Sequence, residues 1–281
     1  MNILWLGEKQ SNSSSLVGSK AATLSSLLNN YNVPMGFIIP KNYFLESTSY
    51  DRNITEDKQI SEAYKKLSSL VDTRTLGVAV RSSSLDEDGT SNSFAGQHDT
   101  FLNVKGESDV FKAIIECSFS SSTLRASKYR EMLDLENNNA QIPVIVQQMI
   151  PSEISGVAFS SNPITKNNNE IFISTSWGLG ESIVDGIVTP DNHIVDKGDG
   201  SIKLSEINHK DIMIIPSENG TVESQVNPNM QGAPSVYGAQ ITEISNLLIS
   251  LESQMGKPVD VEFCYYEGLL YLLQCRPITT L

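Results

Sequence analysis

The sequence predicts an α+β protein, because helices come first and strands then cluster with interspersed helices. The clearest helix is an amphipathic stripe formed by Ile241, Ile244, Leu248, Leu251 and Met255. The clearest strand is the apolar, β-branched run PVIVQQMI at 143–150, typical of a buried strand. The chain has 281 residues, of which 39% are hydrophobic, which is enough for a substantial core and for one large domain or two lobes.

The first half of the chain predicts helices before strands. Residues 18–40, GSKAATLSSLLNNYNVPMGFIIP, indicate a glycine-led helix, a turn and a short strand. Residues 41–72 indicate surface helix. GVAVRSSS at 77–84 predicts a strand that enters the polar loop LDEDGTSNSFAGQHDT. One or two helices over 108–133 and a linker at 136–141 follow.

The second half predicts more strands. After the run at 143–150, further strands are expected at 156–163 and 170–176. Residues 197–234 are rich in Gly, Ser, Asn and Pro, which indicates loops around short strands. Gly256 is suited to ending the amphipathic helix. Residues 260–279, DVEFCYYEGLLYLLQCRPIT, predict a closing hairpin.

This hairpin separates an apolar face from a polar one, because alternate side chains of a strand point the same way. The apolar positions are Val261, Phe263, Tyr271, Leu273 and Cys275, and the polar positions are Asp260, Glu262, Gln274 and Arg276. A loop at Glu267–Leu269 would place Glu262 opposite Gln274 and Asp260 opposite Arg276. A two-residue Glu-Gly turn would instead pair Glu262 with Leu273 and dismantle the polar cluster. A half-solvated hairpin with an ordinary salt bridge is the alternative.

The polar residues suggest phosphate and metal chemistry. Glu262 and the Gln274 carbonyl are hard oxygen ligands suited to Mg²⁺, and Arg276 suits a transferring phosphoryl group. Lys20 lies near a helix start, where an ammonium beside free N–H groups suits phosphate, although a solvated lysine is the alternative. Arg81 ends an apolar strand and is equally compatible with phosphate binding or with capping a loop.

Other candidates carry weaker signals. Gln147 is an amide among buried apolar residues and would meet either an adenine edge or neighbouring backbone. WGLGES at 177–182 offers two glycines for close backbone approach. His98, His193 and His209 are too widely spaced for a zinc site and are interpreted as ordinary polar residues.

Composition excludes several partners. A net charge of −13 argues against nucleic acid and anionic lipid. Cys117, Cys264 and Cys275 are an odd number without metal-ligand spacing, which fits a reducing cytosol. The sequence has neither a signal peptide nor a run long enough to span a membrane. We therefore expect a cytoplasmic protein.

Five ordered blocks resemble a known family and cover nearly the whole chain. They are GSKAATLSSL…VPMGFIIP, VAVRSSSLDEDGTSNSFAGQHDTFLNV, IPVIVQQMIPSEISGVAFSSNPIT, SWGLGESIVDGIVTPDNHIVDK and DVEFCYYEGLLYLLQCRPIT. Together they resemble the N-terminal ATP-binding domain of phosphoenolpyruvate synthase, pyruvate phosphate dikinase and rifampin phosphotransferase. This PEP/pyruvate-binding domain has an ATP-grasp-like, two-lobed fold. The resemblance therefore implies a single domain over 1–281, with lobes of about 1–140 and 141–281.

The resemblance implies site residues and cofactors. ATP and Mg²⁺ are the implied ligands. Lys20 and Arg81 would bind phosphate, Gly96 and Thr100 would belong to a phosphate-covering loop, and Gln147 would lie near the adenine. Glu262 and Gln274 would bind ATP-Mg²⁺ beside Asp260, and Arg276 would lie near the transferred phosphates. Lys20, Arg81 and Arg276 are the residues expected to take part in transfer.

The sequence also departs from the family enzymes, which are longer. Nothing in it matches their phosphohistidine domain or acceptor domain. We therefore expect an ATP-dependent phosphotransferase module that transfers a phosphoryl or pyrophosphoryl group to a histidine on a partner protein or to a small-molecule acceptor. Two alternatives stay open: an ATP-grasp ligase that makes an acyl phosphate, and a non-catalytic nucleotide-binding regulator.

Overall fold

The computed structural model describes residues 2–41, 43, 57–84, 100–119 and 142–278. The chain divides into two compact units. Unit 1 comprises Met1–Met149 with Glu218–Gly220, and unit 2 comprises Ile150–Ser217 with Thr221–Leu281. Each unit combines helices with an antiparallel sheet, so the predicted α+β class is confirmed.

Unit 1 contains, among its described residues, a five-stranded sheet in the order β1-β2-β5-β3-β4. Its strands are β1 (Leu4–Trp5), β2 (Gly36–Ile39), β3 (Val78–Ser82), β4 (Thr100–Val104) and β5 (Val144–Gln148). All neighbouring strands are antiparallel. The central strand β5 is buried along most of its length, which explains its continuous apolar run.

Helices pack against this sheet. They are a short 3-10 helix (Lys9–Asn12), α1 (Ser14–Leu27), α2 (Lys58–Leu70) and α3 (Glu107–Phe119). Asp57 begins α2 as its N-cap, since its carboxylate accepts the N–H groups of Gln59 and Ile60. The core of the unit includes Phe37, Ile39, Ile60, Leu67, Val78, Val80, Ile114, Val144 and Val146.

Unit 2 is built on a sheet that has, in the described range, six strands in the order β13-β12-β6-β7-β8-β9. They are β6 (Ile154–Phe159), β7 (Glu170–Trp177), β8 (Asp191–Asp196), β9 (Ile202–Glu206), β12 (Val259–Tyr266) and β13 (Leu269–Pro277). A separate hairpin consists of β10 (Ile212–Pro216) and β11 (Thr221–Gln225).

Two helices complete unit 2 within the described residues, α4 (Glu181–Val184) and α5 (Gly238–Met255). The predicted apolar stripe of α5 is buried except for Met255, and Gly256 ends the helix in the left-handed conformation with φ +66°. The short strands expected within 197–234 are present as β9, β10 and β11.

Four strands differ from the prediction. The strand expected at 156–163 is displaced, because it begins at Ile154 and ends at Phe159 before a turn in which Asn162 Oδ1 accepts the N–H groups of Ile164 and Thr165. Strands β1, β4 and β8 were not predicted. In β8 the inward positions include Asp191 and His193, so the buried face lacks the apolar alternation that marks a strand.

A buried ion pair explains the polar interior of β8. Lys210 Nζ contacts Asp191 Oδ1, and both side chains are fully buried. Asp191 Oδ2 accepts the backbone N–H and the hydroxyl of Ser235, at 2.8 and 2.7 Å. The carboxylate therefore fastens the segment around Lys210 and the segment around Ser235 to the sheet.

Some predicted elements lie outside the described residues. These are the parts of the predicted helices at 44–56 and 120–133, the linker at 136–141, and the polar loop at 85–99 with Gly96 and His98. Of the helices within the described residues, none has both the length and the apolar character needed to cross a bilayer.

Candidate functional site

The β12–β13 ribbon carries the predicted polar pairs. Glu262 lies opposite Gln274, and Asp260 lies opposite Arg276, so this part of the register is confirmed. The predicted loop at Glu267–Leu269 is wrong, because Tyr266 pairs with Leu269 across a two-residue turn of Glu267 and Gly268. Both turn residues have positive φ, at +49° and +73°, as a type I′ hairpin turn requires.

A β-bulge reconciles the tight turn with the polar pairs. The register shifts between Glu262 and Phe263, since Phe263 pairs with Leu272 while Glu262 pairs with Gln274. Leu273 is the extra residue of the bulge and opposes neither. Without the bulge, the tight turn would place Leu273 opposite Glu262.

The bulge also corrects the predicted apolar face. Leu272, opposite Phe263, is 2% exposed and belongs to the core. Tyr271 lies opposite Cys264 and so shares the face of Glu262, because directly opposed side chains lie on one side of a sheet. The prediction that Tyr271 lines the apolar face with Cys275 is therefore wrong.

Asp260 and Arg276 form a direct ion pair on this ribbon. Arg276 Nε donates to Asp260 Oδ2 at 2.7 Å. Asp260 is 8% exposed, and burial raises the pKa of its carboxyl, while the positive charge and hydrogen bond of Arg276 oppose that increase. The pair is therefore partly desolvated rather than an ordinary surface salt bridge.

Glu262 and Gln274 present side-chain oxygens that fit a magnesium ion. As directly opposed residues they project from the same face, with Asp260 two residues from Glu262. Mg²⁺ is commonly held by one or two carboxylates with phosphate oxygens and water, so a carboxylate and an amide oxygen are a sufficient protein contribution. Among the described residues, no three or more His, Cys, Asp or Glu side chains gather as a metal cluster.

In unit 1, Gly18 brings Lys20 against the end of β3. Gly18 has φ +77° and divides α1 at a kink, and a Cβ there would lie 1.5 Å from the Ser83 carbonyl oxygen. Lys20 is half-buried, and its Nζ donates to the Ser82 carbonyl oxygen at 3.2 Å. The glycine thus allows the lysine to reach the strand that carries Arg81.

The helix N–H groups beside Lys20 were predicted to be free, but two of them are engaged in hydrogen bonds. Ala21 N donates to Ser83 Oγ at 3.0 Å, and Ser19 N donates to the Ser84 carbonyl at 3.4 Å. The serines after Arg81 therefore cap this helix turn. A phosphate bound here would be held by side chains more than by these two N–H groups.

Arg81 and Thr100 lie next to each other in the sheet. They are opposed residues of β3 and β4, at the ends of the strands that adjoin residues 85–99. Arg81 is half-buried and Thr100 is exposed. Lys20, Arg81 and Thr100 are therefore brought to one end of β3 within unit 1, whereas Glu262, Gln274 and Arg276 belong to unit 2. Gly96 lies outside the described residues.

Gln147 is 2% exposed and its Nε2 donates to the Pro34 carbonyl oxygen at 3.0 Å. Of the two alternatives for this amide, contact with neighbouring backbone is observed, and the adenine contact stays a prediction. His193 is buried, its Nδ1 lies 2.9 Å from Ser205 Oγ, and burial lowers its pKa. His209 lies exposed on a loop.

The WGLGES segment makes the close approach that its glycines predict. Gly178 has φ +77°, and a Cβ on it would lie 2.4 Å from the Ile214 carbonyl oxygen. The segment also contains Glu181, which sequence reasoning did not select as a site residue. Its Oε2 is buried and has no hydrogen-bond partner among the described residues.

Comparison with known proteins identifies a matching family. Residues 47–281 match the family described as pyruvate phosphate dikinase, AMP/ATP-binding domain. Phosphoenolpyruvate synthase of Pyrococcus furiosus is 41% identical over 233 residues, which are 80% of this chain and 28% of that protein. A Bacillus subtilis protein named uncharacterized phosphotransferase YvkC is 36% identical over 288 residues, covering 96% of this chain and 34% of that protein. This chain thus spans well under half the length of these relatives.

Likeness to solved structures is slight. D-alanine-D-alanine ligase from Helicobacter pylori aligns over 92% of this chain and 53% of that chain, with 12% identity and a TM-score of 0.37. This degree of likeness is too low to support an argument about fold or function.

Proposed function

The chain belongs to the pyruvate phosphate dikinase AMP/ATP-binding domain family, as the sequence predicts, and on this premise we propose that it is an ATP-dependent phosphotransferase module. The observation that carries the proposal is the β12–β13 ribbon. It places Glu262 opposite Gln274 and Asp260 opposite Arg276 on one face, despite a tight turn that would otherwise dismantle the pairs. A carboxylate and an amide with an adjacent guanidinium are the groups that a metal-bound polyphosphate needs.

In the proposed mechanism, side chains position ATP and neutralise its charge. Glu262 and Gln274 would hold Mg²⁺, which supplies charge neutralisation of the phosphates when it is bound. Lys20 and Arg81 would bind phosphate oxygens, and Arg276, oriented through Nε by Asp260, would stabilise charge on the transferred group. Phosphoryl transfer depends mainly on such positioning, so no side-chain nucleophile is required in this chain.

The acceptor belongs to the part of the family enzymes that this chain does not match. We propose a histidine on a separate phosphohistidine-domain protein, with a small-molecule acceptor as the other possibility. By analogy with the family, ATP would yield AMP and phosphate by way of a phosphohistidine. The three cysteines are buried and form no disulfide bond, which supports activity in the cytoplasm. Neither the ligase nor the regulator alternative is favoured by a specific observation.

Calorimetric titration with ATP, with and without Mg²⁺, tests the site. We expect wild-type protein to bind Mg-ATP, and we expect Glu262→Gln to weaken that binding by about tenfold or more, because it removes a charged metal ligand. Glu206→Gln is the matched control, since Glu206 is an exposed carboxylate on the same face at the far edge of the sheet. Its affinity for Mg-ATP should stay within about twofold of wild type.

Two results of these titrations would contradict the proposal. Equal affinities for Mg-ATP in wild type and Glu262→Gln would remove Glu262 from the metal site. Failure of folded wild-type protein to bind Mg-ATP at all would contradict the proposed function itself. The folded state of each variant is checked by thermal unfolding.

A further inference from the structure

Two buried oxygens at the end of β7 have no hydrogen-bond partner among the described residues. They are Ser176 Oγ and Glu181 Oε2. Ser176 is fully buried, and Glu181 is half-buried with Oε2 itself inaccessible to water. A buried carboxylate oxygen without a donor is costly, and such groups are rare in native proteins, where a functional role, a bound water or an ion can explain them.

Both oxygens lie by the face that carries the proposed metal ligands. Ser176 opposes Ser155, which in turn opposes Cys264, so their side chains share one side of the sheet. Cys264 is two residues from Glu262 and therefore projects to the same side. Glu181 follows Gly180, whose Cβ position lies 3.5 Å from Ser155 Cβ, and this places the start of α4 over the same side.

The distance from Ser176 to the proposed metal ligand Glu262 follows from their positions in the sheet. Ser176 is displaced from Glu262 by two residues along a strand and by two strands across the sheet. With standard strand dimensions this separation is about 12 Å. The distance suits a nucleotide whose phosphates lie at Glu262 and whose sugar lies at Glu181.

The chemistry of the lining selects a sugar rather than a base or a phosphate. A carboxylate accepts hydrogen bonds and repels phosphate, so Glu181 requires a donor. The neighbouring side chains Ser155, Ser176 and Ser182 are buried hydroxyl groups. Ser155 and Ser182 donate to the carbonyl oxygens of Gly178 and Leu179, and their hydroxyl oxygens keep the capacity to accept a hydrogen bond. Hydroxyls both donate and accept, which matches the vicinal hydroxyls of ribose, whereas a flat base ring would require apolar surfaces.

We propose that Glu181, with Ser176, forms a ribose-hydroxyl subsite that makes the protein select ribonucleotides over deoxyribonucleotides. This inference rests on the proposed binding of Mg-ATP. Glu181 Oε2 accepts a hydrogen bond from a ribose hydroxyl, and Ser176 Oγ contacts the adjacent one. The vacant hydrogen-bonding capacity of both side chains is then filled only in the nucleotide complex.

The test compares Glu181→Gln with wild type across four probes: the magnesium complexes of ATP, 2′-deoxy-ATP, 3′-deoxy-ATP and inorganic tripolyphosphate. Wild type should prefer ATP over at least one deoxy analogue by roughly 10- to 100-fold, as loss of a hydrogen bond to a charged group predicts. Glu181→Gln should lose most of this preference while binding tripolyphosphate as wild type does. Asp185→Asn, an exposed change in the same segment, is the control.

Stability separates a binding role from a structural one. Because Oε2 has no partner to lose among the described residues, Glu181→Gln should not lower the unfolding temperature of the nucleotide-free protein. A lowered unfolding temperature together with weaker binding of all four probes would overturn the inference in favour of a structural role. An unchanged ATP preference in Glu181→Gln would also overturn it while leaving the proposed function intact. If wild type binds no Mg-ATP, the proposed function fails, and the subsite fails with it.

Discussion

At the scale of single residues, Gly18 controls the position of Lys20. A Cβ at Gly18 would lie 1.5 Å from the Ser83 carbonyl oxygen, a backbone atom that no rotamer change can move. We expect Gly18→Ala to destabilise the protein by about 3 kcal/mol or more, because steric overlap adds to the ~1–2 kcal/mol cost of a left-handed alanine. Urea unfolding measures the loss.

Gly106→Ala is the matched control for this substitution. Gly106 has a similar φ of +82° in the same unit, but a Cβ there would meet nothing within 4 Å. Gly106→Ala should therefore lower the free energy of unfolding by only about 1–2 kcal/mol, the cost of a left-handed backbone at an alanine. Equal losses in the two variants would show that α1 does not approach Ser83 as closely as the structure indicates.

Site residues differ in how far the sequence reveals them. Alternation along each strand is enough to group Asp260 with Glu262 and Gln274 with Arg276, because that grouping depends on local geometry. The capping of Ala21 N by Ser83 Oγ depends on a contact across 62 residues, and no local pattern signals it. The orphaned oxygen of Glu181 was missed for the same reason, since only packing shows which donors are absent.

At the scale of elements, the β12–β13 ribbon shows how two local irregularities cancel. The Glu267-Gly268 turn shifts the pairing one residue away from the polar pairs, and the extra residue Leu273 shifts it back. The polar pairs alone predict a connecting loop with an odd number of residues, because this count assumes two regular strands without a bulge. A Glu-Gly pair between apolar runs is itself compatible with a tight turn, but it gives no sign of a bulge several residues away.

The turn gives a prediction about the stability of this element. Glu267 adopts φ +49°, which asparagine tolerates better than glutamate, and Asn-Gly is the favoured type I′ pair. We expect Glu267→Asn to stabilise the protein by about 0.5–1 kcal/mol, measured by urea unfolding.

Gly268→Ala at the neighbouring position should have the opposite effect. Its φ of +73° would cost an alanine about 1–2 kcal/mol, although a Cβ there meets nothing within 4 Å. Stabilisation by both substitutions, or by neither, would mean that the chain reverses through a different turn.

At the scale of the whole molecule, the order of elements was enough to predict the α+β class, whereas β8 shows where sequence patterns fail. Its inward residues Asp191 and His193 are polar, and their burial depends on Lys210, Ser235 and Ser205 from later segments. Such polar interiors are specified by long-range partners. Sequence patterns therefore predict the apolar part of the architecture better than its polar part.

The family match covers most of this chain but a minor part of its relatives. In the proposed reaction the acceptor histidine belongs to a separate protein. Of the two histidines within the described residues, His193 is 1% exposed and engaged with Ser205, whereas His209 lies exposed on a loop. We expect Mg-ATP with this chain alone to give little AMP. Addition of a protein with a phosphorylatable histidine domain should produce AMP and transfer label from the terminal phosphates to that protein.

The nucleotide product and the fate of the label distinguish the candidate reactions. Replacing the partner's acceptor histidine by alanine should abolish both AMP formation and labelling, while Mg-ATP binding to this chain is unchanged. ADP formation that requires a carboxylate and an amine would instead identify a ligase, because an acyl phosphate leaves ADP behind. Tight Mg-ATP binding with neither product, whatever acceptor is supplied, would identify a nucleotide-binding regulator. Chromatography that resolves AMP from ADP therefore decides between these three functions in a single assay.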